Sequence, residues 1–282
     1  IAFALFALCF FVLSKSFTRI GTKTPTVGKT ATKAVVTREQ SVSSALFKRE
    51  LKRFTSSATY MLNCGLGIAV LPILAVVALI KRDTLQTVIV AFSEMAPDVA
   101  PLFPAIMLAA ACMILAINEI STPSISLEGK NLWILRTLPV SSRDILDAKL
   151  RLHLLLNAIP AVISVAVLGW CVDASIDYIV LMVAFALVYI LLTGTFGLIL
   201  GLKRPNFNWT TETMPIKQSM NVLFSMLFNW ALVIAFGAGA YFLRNTFSMQ
   251  SYLSGAVVAV ALAGVLLRKW LYTKGAAVLD TL

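Results

Sequence analysis

The sequence is poor in charged side chains. Only 13% of its 282 residues are Asp, Glu, Lys or Arg, compared with about 25% in soluble domains. A chain with so little solvating charge and with 59% apolar residues does not form a water-soluble globule. The composition therefore indicates an integral membrane protein.

Several catalytic and metal-binding patterns are also missing. The single histidine, His153, leaves no Ser-His-Asp, Cys-His or H-E-x-x-H arrangement, and the four cysteines lack C-x-x-C spacing. Gly28, Lys29 and Thr30 resemble the end of a phosphate-binding loop, but Lys23 stands where that loop needs its first glycine. We therefore expect no enzyme activity, no metal and no cofactor bound by this chain.

Long apolar runs dominate what is present. Six are long enough to cross a hydrocarbon core of about 30 Å at about 1.5 Å per residue. A seventh, 1–14, lacks the basic start and cleavage site of a signal peptide, and we interpret it as the end of a truncated transmembrane helix. The sequence thus predicts an all-α polytopic bundle in 58–282, with complete spans at about 58–80, 101–118, 152–172, 177–200, 221–243 and 251–267.

The net charge of +11 follows from topology. When the apolar runs cross the membrane alternately, 21 of the 24 Lys and Arg residues fall on one side, in 15–57, 119–151, 203–220 and 268–282. This bias obeys the positive-inside rule and places that side in the cytoplasm. Because anionic lipid headgroups attract such segments, the lipid bilayer explains the charge, and we expect no nucleic-acid partner.

The cytoplasmic stretch 15–57 is predicted to be a linker that ends in an amphipathic helix at about 44–57. Apolar side chains recur there at helical spacing, and basic side chains fill the other faces, a pattern typical of a helix in the headgroup layer. An ordinary solvated helix is the alternative. The residues assigned to the membrane surface are Phe47, Lys48, Arg49, Leu51, Lys52, Arg53 and Phe54.

The cytoplasmic segment 119–151 is unusually apolar for a loop. Pro139 ends a first short helix there, and Ser141 with Asp144 caps a second helix that continues into the next span. Each large apolar side chain is worth about 1.5–3 kcal/mol when buried, so these must contact lipid, other segments or another protein. Interleaved charges favour a protein interface, and a helix lying on the headgroups is the alternative.

These features occur in an order that resembles the membrane (permease) subunits of the type-2 ABC exporter superfamily. An amphipathic helix and two spans precede a Glu and basic residue, an apolar helix, a Pro-Val-Ser turn and an Ile-Leu..Lys sequence. The similarity is sharpest to a bacterial subgroup of long ABC permeases, and the loop 203–220, with Trp209 and Lys217, resembles that subgroup's second cytoplasmic loop. The matching residues are Glu128, Lys130, Leu135, Pro139, Val140, Ser141, Ile145, Leu146 and Lys149.

The resemblance implies a permease in the bacterial cytoplasmic membrane, with an elbow helix before the first complete span. It also implies a coupling segment, 126–144, that contacts a separate ABC ATPase subunit, which uses ATP, and a second permease half in the same chain or a dimer. The substrate stays open, and an ATP-independent channel or carrier and a polytopic scaffold are the alternatives. The expected ATPase contacts are Glu128, Lys130, Trp133, Ile134, Arg136, Leu138, Pro139 and Val140.

Overall fold

The computed structural model describes Phe11 and residues 41–282. The rest of the predicted truncated helix 1–14, and most of the predicted linker, lie outside the described residues. All regular elements in the described part are helical, and short 3-10 turns cover Ala100–Leu102, Thr122–Ser124 and Ser126–Asn131. The α-helices are α1 Val42–Ser56, α2 Ala58–Cys64, α3 Leu66–Ile80, α4 Arg82–Met95, α5 Phe103–Leu115, α6 Leu132–Thr137, α7 Ser142–Cys171, α8 Ile176–Lys203, α9 Thr213–Ile216, α10 Met220–Leu243, α11 Met249–Trp270 and α12 Ala276–Thr281.

Four helical segments are long and apolar enough to cross a membrane: Ser142–Cys171, Ile176–Lys203, Thr213–Leu243 and Met249–Thr281. The helices α2 and α3 together make a fifth if they count as one span, although they meet at an angle of 47°. The described part is thus an all-helical membrane protein with four spans by length and composition. The six complete spans predicted from the sequence are not confirmed.

The two departures from that prediction have local causes. In the predicted span 58–80, the backbone N–H of Gly65 closes α2 by donating to Met61, and a new helix then starts at Leu66. In the predicted span 101–118, the apolar helix Ala100–Leu115 is shorter than a full crossing. The chain after it turns into irregular and 3-10 structure, which hydropathy alone does not reveal.

The helix α8 is the centre of the bundle. It packs against α7 on one side and α11 on another. In the most apolar stretch of α8, 50% of the residues are buried, compared with 11% in the corresponding stretch of the segment that contains α11. Met182, Phe185 and Tyr189 of α8 form the main core together with Leu71 of α3 and Leu108 of α5.

The segments predicted to be cytoplasmic, as far as they are described, lie at one end of the bundle, which we call the basic end. There the 3-10 turn at Thr122 lies directly on α8. An added Cβ at Gly201 would come 2.5 Å from the Thr122 carbonyl oxygen, and one at Gly197 would overlap the Thr122 hydroxyl. The two glycines thus allow an irregular segment to pack directly on the α8 backbone.

The opposite end carries few polar contacts. Arg82, at the start of α4, pairs with Asp173 at a distance of 2.5 Å between Nη2 and Oδ1. Gln86 donates to the carbonyl of Cys171 at 2.7 Å. The helix α4 has no buried residue, and its side chains contact the rest of the chain at its surface, as the edge-to-face pair of Phe92 and Phe103 also shows.

Candidate functional site

Five charged side chains meet at the basic end, where α1, the 3-10 turn Ser126–Asn131 and the start of α7 pack together. The fully buried Lys149 places its Nζ 3.0 Å from Glu50 Oε2 and 2.6 Å from Glu128 Oε1. Arg49 and Arg53 approach Glu128 from α1, each with one Nη atom 2.7 Å from Oε2. We call Arg49, Glu50, Arg53, Glu128 and Lys149 the ion-pair cluster.

The cluster satisfies the buried ammonium completely. Besides the two carboxylates, Lys149 Nζ donates to the carbonyl oxygen of Ser124 at 3.1 Å, so all three of its N–H groups have acceptors. Burial alone would raise the pKa of Glu128, but Lys149 and the two arginines hold that pKa well below its usual range. The cluster therefore joins α1, the 3-10 turn and α7 through charged hydrogen bonds.

The predicted membrane-surface residues of α1 divide between different faces of the helix. Lys48 and Lys52 are exposed, and Phe47 and Leu51 are half-buried. Phe54 is buried, with 5% of its surface exposed, and the two arginines face Glu128. Only part of this predicted set therefore lies on the surface of the chain.

Sequence reasoning missed the face of α1 that is buried most deeply. Leu46, Glu50 and Phe54 form this stripe, with the four-residue spacing of one helix face. Glu50 lies between the two apolar residues of that stripe. A carboxylate at such a position indicates a buried charge that needs a partner. Its buried partner, Lys149, is 99 residues away in the sequence, and the adjacent Arg49 also pairs with it.

The short helix α6 and Leu138, the residue after it, present large apolar side chains outward. Trp133 is 62% exposed, Ile134 44% and Leu138 42%. Leu132 and Leu135, on its other face, are buried in a core formed with α7, α8 and α12. The helix is thus anchored on one side and exposes the other, and we call Trp133, Ile134 and Leu138 the apolar patch.

The other predicted contact residues surround this patch, with one exception. Lys130, Arg136 and Pro139 are exposed, and Val140 is half-buried. The side chain of Glu128, by contrast, is only 1% exposed and faces the ion-pair cluster. Glu128 is therefore not available at the surface, and its contacts are with Arg49, Arg53 and Lys149.

The loop between α8 and α10 packs on the same region. The ring of Trp209 covers Gly129, and its Nε1 donates to the carbonyl of Ser126 at 2.6 Å. Gly129 has φ of 55°, a conformation that disfavours residues with a Cβ, and a Cβ there would come 3.1 Å from the ring. Trp209 thus contacts protein, whereas Lys217 of the same loop is exposed.

A second buried polar group is centred on Glu119, in the turn after α5. Glu119 Oε1 accepts a hydrogen bond from Asn229 Nδ2 at 2.8 Å, and Oε2 accepts one from the hydroxyl of Thr122. Nearby, Asn118 donates to Asn157 at 2.7 Å. Within residues 41–282, no group of three or more His, Cys, Asp or Glu residues could hold a metal ion.

The comparison with family models identifies the chain's relatives. The model described as "Putative ATP-binding cassette" matches residues 73–273, well over half of the chain. The chain belongs to this family and is an ABC-related membrane protein. No curated protein and no solved structure matches it significantly.

Proposed function

We propose that this chain is the transmembrane permease subunit of an ATP-driven ABC exporter. The observation that carries the proposal is the apolar patch, which projects from the basic end next to the ion-pair cluster. In this proposal a separate ATPase subunit docks on 126–144, with Trp133, Ile134 and Leu138 as its apolar anchors and Lys130 and Arg136 at the rim.

The family description names the nucleotide-binding part of such transporters, and two observations favour the membrane part for this chain. The matched region runs from α3 to the turn after α11, and it includes the long apolar helices. The 282 residues contain no G-x-x-x-x-G-K-[ST] loop to hold the phosphates of ATP. ATP hydrolysis on another subunit is therefore part of the proposal.

The contacts of α6 support a route for coupling. Movement of a docked ATPase would press on α6, whose buried face packs against α7 and α12. The ion-pair cluster joins the adjoining 3-10 turn to α7 and α1. A shift between two states from 1:99 to 99:1 requires about 5.5 kcal/mol of differential interaction, so rigid attachment of the docking segment is a requirement.

The finer topology belongs to the same proposal. Six complete spans arise if α2 with α3 forms one bent crossing and Ala100–Leu115, extended by the residues after it, forms a second. The basic end then faces the cytoplasm of a bacterial cell membrane, where α1 acts as the elbow helix. A second permease half, in the same chain or a partner copy, completes the pathway.

Site-specific crosslinking tests the docking role. A photoreactive residue in place of Trp133 in the full chain, expressed in native membranes, should form an adduct with a protein that contains a P-loop. The same replacement at Trp170, which is 50% exposed at the opposite end, serves as the control and should not form this adduct.

Substitution measures whether the contact transmits activity. Trp133→Ala with Leu138→Ala should lower both co-purification of the ATPase and its stimulated activity, while Trp170→Ala with Leu243→Ala should leave both unchanged. Unchanged co-purification and activity in the first variant would refute the docking role. ATP-independent flux through the purified chain in liposomes would instead favour the channel or carrier alternative.

A further inference from the structure

A cavity of about 330 Å³ lies at the basic end, away from the apolar patch. It lies between α2, the turn after α5, α9 and the first turns of α10. Its walls are mostly apolar, with Ile117, Leu223 and Met226 among them, and its polar lining residues are Asn63, Glu119 and Lys217. This volume and lining fall in the range of small-molecule sites, which are apolar with a few polar groups.

Glu119 is the unusual member of this lining. It is 4% exposed, and no Lys or Arg among the described residues forms an ion pair with it. Lys217 lines the same cavity, but its side chain is exposed and forms no ion pair with Glu119. The charge of Glu119 is therefore unmatched within the described chain, in contrast to Glu50 and Glu128.

The groups around Glu119 leave capacity for another donor. Asn229, Thr122 and Ser225 donate hydrogen bonds to it, and a carboxylate accepts about four. Asn229 Oδ1 is also buried and has no hydrogen-bond partner among the described residues. Glu119, a buried carboxylate with an open acceptor position, lines an otherwise mostly apolar cavity and makes that part of it electronegative.

We propose that this cavity binds a monovalent organic cation with an apolar body, whose positive group lies against Glu119. The apolar walls hold the body of the ligand, and the ligand supplies the charge that the protein does not. Calling this ligand the exported cargo rests on the proposed function. Binding itself does not, because it requires no ATPase.

Equilibrium binding of tritiated benzylammonium, which has three N–H donors, to the purified full chain in uncharged maltoside micelles tests the proposal. We expect saturable binding that Glu119→Gln weakens about 10- to 100-fold, since hydrogen bonds to charged groups are worth about 1.5–3 kcal/mol. Glu94→Gln makes the same chemical change at an exposed residue and should leave the affinity unchanged. Benzenesulfonate, which has a similar apolar body but a negative charge, should not compete.

A second variant keeps the proposal testable if Glu119→Gln fails to fold. Met226→Trp fills the cavity without touching the charge and should also abolish binding, with an unchanged elution volume on size exclusion. No saturable binding to the native chain, equal affinity in Glu119→Gln, or equal competition by benzenesulfonate would each overturn the proposal. Because the ATPase is absent, failure here is separate from failure of the docking role.

Discussion

The two ends of the bundle treat their charged side chains differently. At the basic end Glu50, Glu119, Glu128 and Lys149 are all buried, and three of them join in one cluster. At the opposite end, the described pair of Arg82 with Asp173 is partly exposed, with side-chain exposures of 32% and 61%. Exposed pairs contribute little to stability, whereas a buried pair is costly to break.

This difference indicates which end of the bundle requires a fixed geometry of its charged side chains. A buried charge network adopts one geometry, because each charge needs its particular partner. The opposite end, where the described ion pair is partly exposed, has no such buried network among the described residues. The region proposed to receive force from a partner is thus the one with the most directional contacts.

The largest expected effect comes from removing the central cation. Lys149→Met removes the fully buried cation that Glu50 and Glu128 share and leaves them with partly exposed arginines as partners. We expect a loss of about 3–5 kcal/mol of unfolding free energy. Arg82→Met breaks the pair at the opposite end and should cost about 0–1 kcal/mol. Denaturant titration in detergent, followed by tryptophan fluorescence, measures both, and equal losses would remove the distinction between the ends.

The next effect depends on pH. Burial raises the pKa of Glu119 to about 7, from an ordinary value of 4.5. The folded state therefore holds the proton more tightly than the unfolded state, and this carboxyl lowers stability as pH rises from 4.5 through 7. Above pH 8 this carboxyl should lower the unfolding free energy of the native chain by on the order of 3 kcal/mol. Glu119→Gln should not show this decrease.

Melting temperatures at pH 5 and pH 8.5 check this sign. The native chain should lose more stability between the two values than Glu119→Gln does, and Glu94→Gln should behave like the native chain. For Glu128 the pKa is lowered, so its stabilising contribution is present above the ordinary value and is lost only in more acidic solution. A Glu119→Gln variant with the native pH dependence would contradict the assignment.

Close backbone packing provides a smaller contrast. Gly201→Ala at the basic end places a Cβ 2.5 Å from the Thr122 carbonyl oxygen, and we expect a loss of about 1–3 kcal/mol from the resulting shift. An added Cβ at Gly255 meets no atom within 4 Å, so Gly255→Ala should be stabilising by up to about 1 kcal/mol. Opposite signs in thermal unfolding would support the comparison.

The smallest effect should not distinguish the ends. Ser141 caps α7 at the basic end and Ser248 caps α11 at the other, each accepting from a backbone N–H at 3.2 Å. Either Ser→Ala change should cost about 1 kcal/mol. Similar losses in unfolding free energy would locate the difference between the ends in buried charge and close packing, and strongly unequal losses would argue against it.

Local signals explain what could be predicted from the sequence. The break at Pro139 and the Ser141 cap are both observed, because each depends on residues within one helical turn. The bend after Cys64 was not predicted, since Gly65 lies within a continuous apolar run and hydropathy does not register an interrupted hydrogen-bond ladder. The exposed face of α6 also follows from its apolar composition in a basic segment.

The two buried charged sites could not be predicted from the sequence, because they depend on contacts between residues far apart in the chain. The partners Glu50 and Lys149 are 99 residues apart, and no periodicity in either helix identifies the other. Glu119 follows directly after an apolar run, so hydropathy predicts that it is the first residue of a solvated loop. In the structure, the 3-10 turn at Thr122 instead packs the chain against α8. Both sites require knowledge of which helices are neighbours in space.

The helix α7 extends 30 residues from its cap at Ser141 to Cys171, or about 45 Å. Pro160 lies in its interior and has no N–H to donate to the preceding turn. The half that contains Lys149 is fixed by the ion-pair cluster, while the other half is held mainly by apolar contacts. Because one backbone hydrogen bond is missing at Pro160, we expect α7 to bend more easily there than elsewhere, so that its two halves can tilt by different amounts.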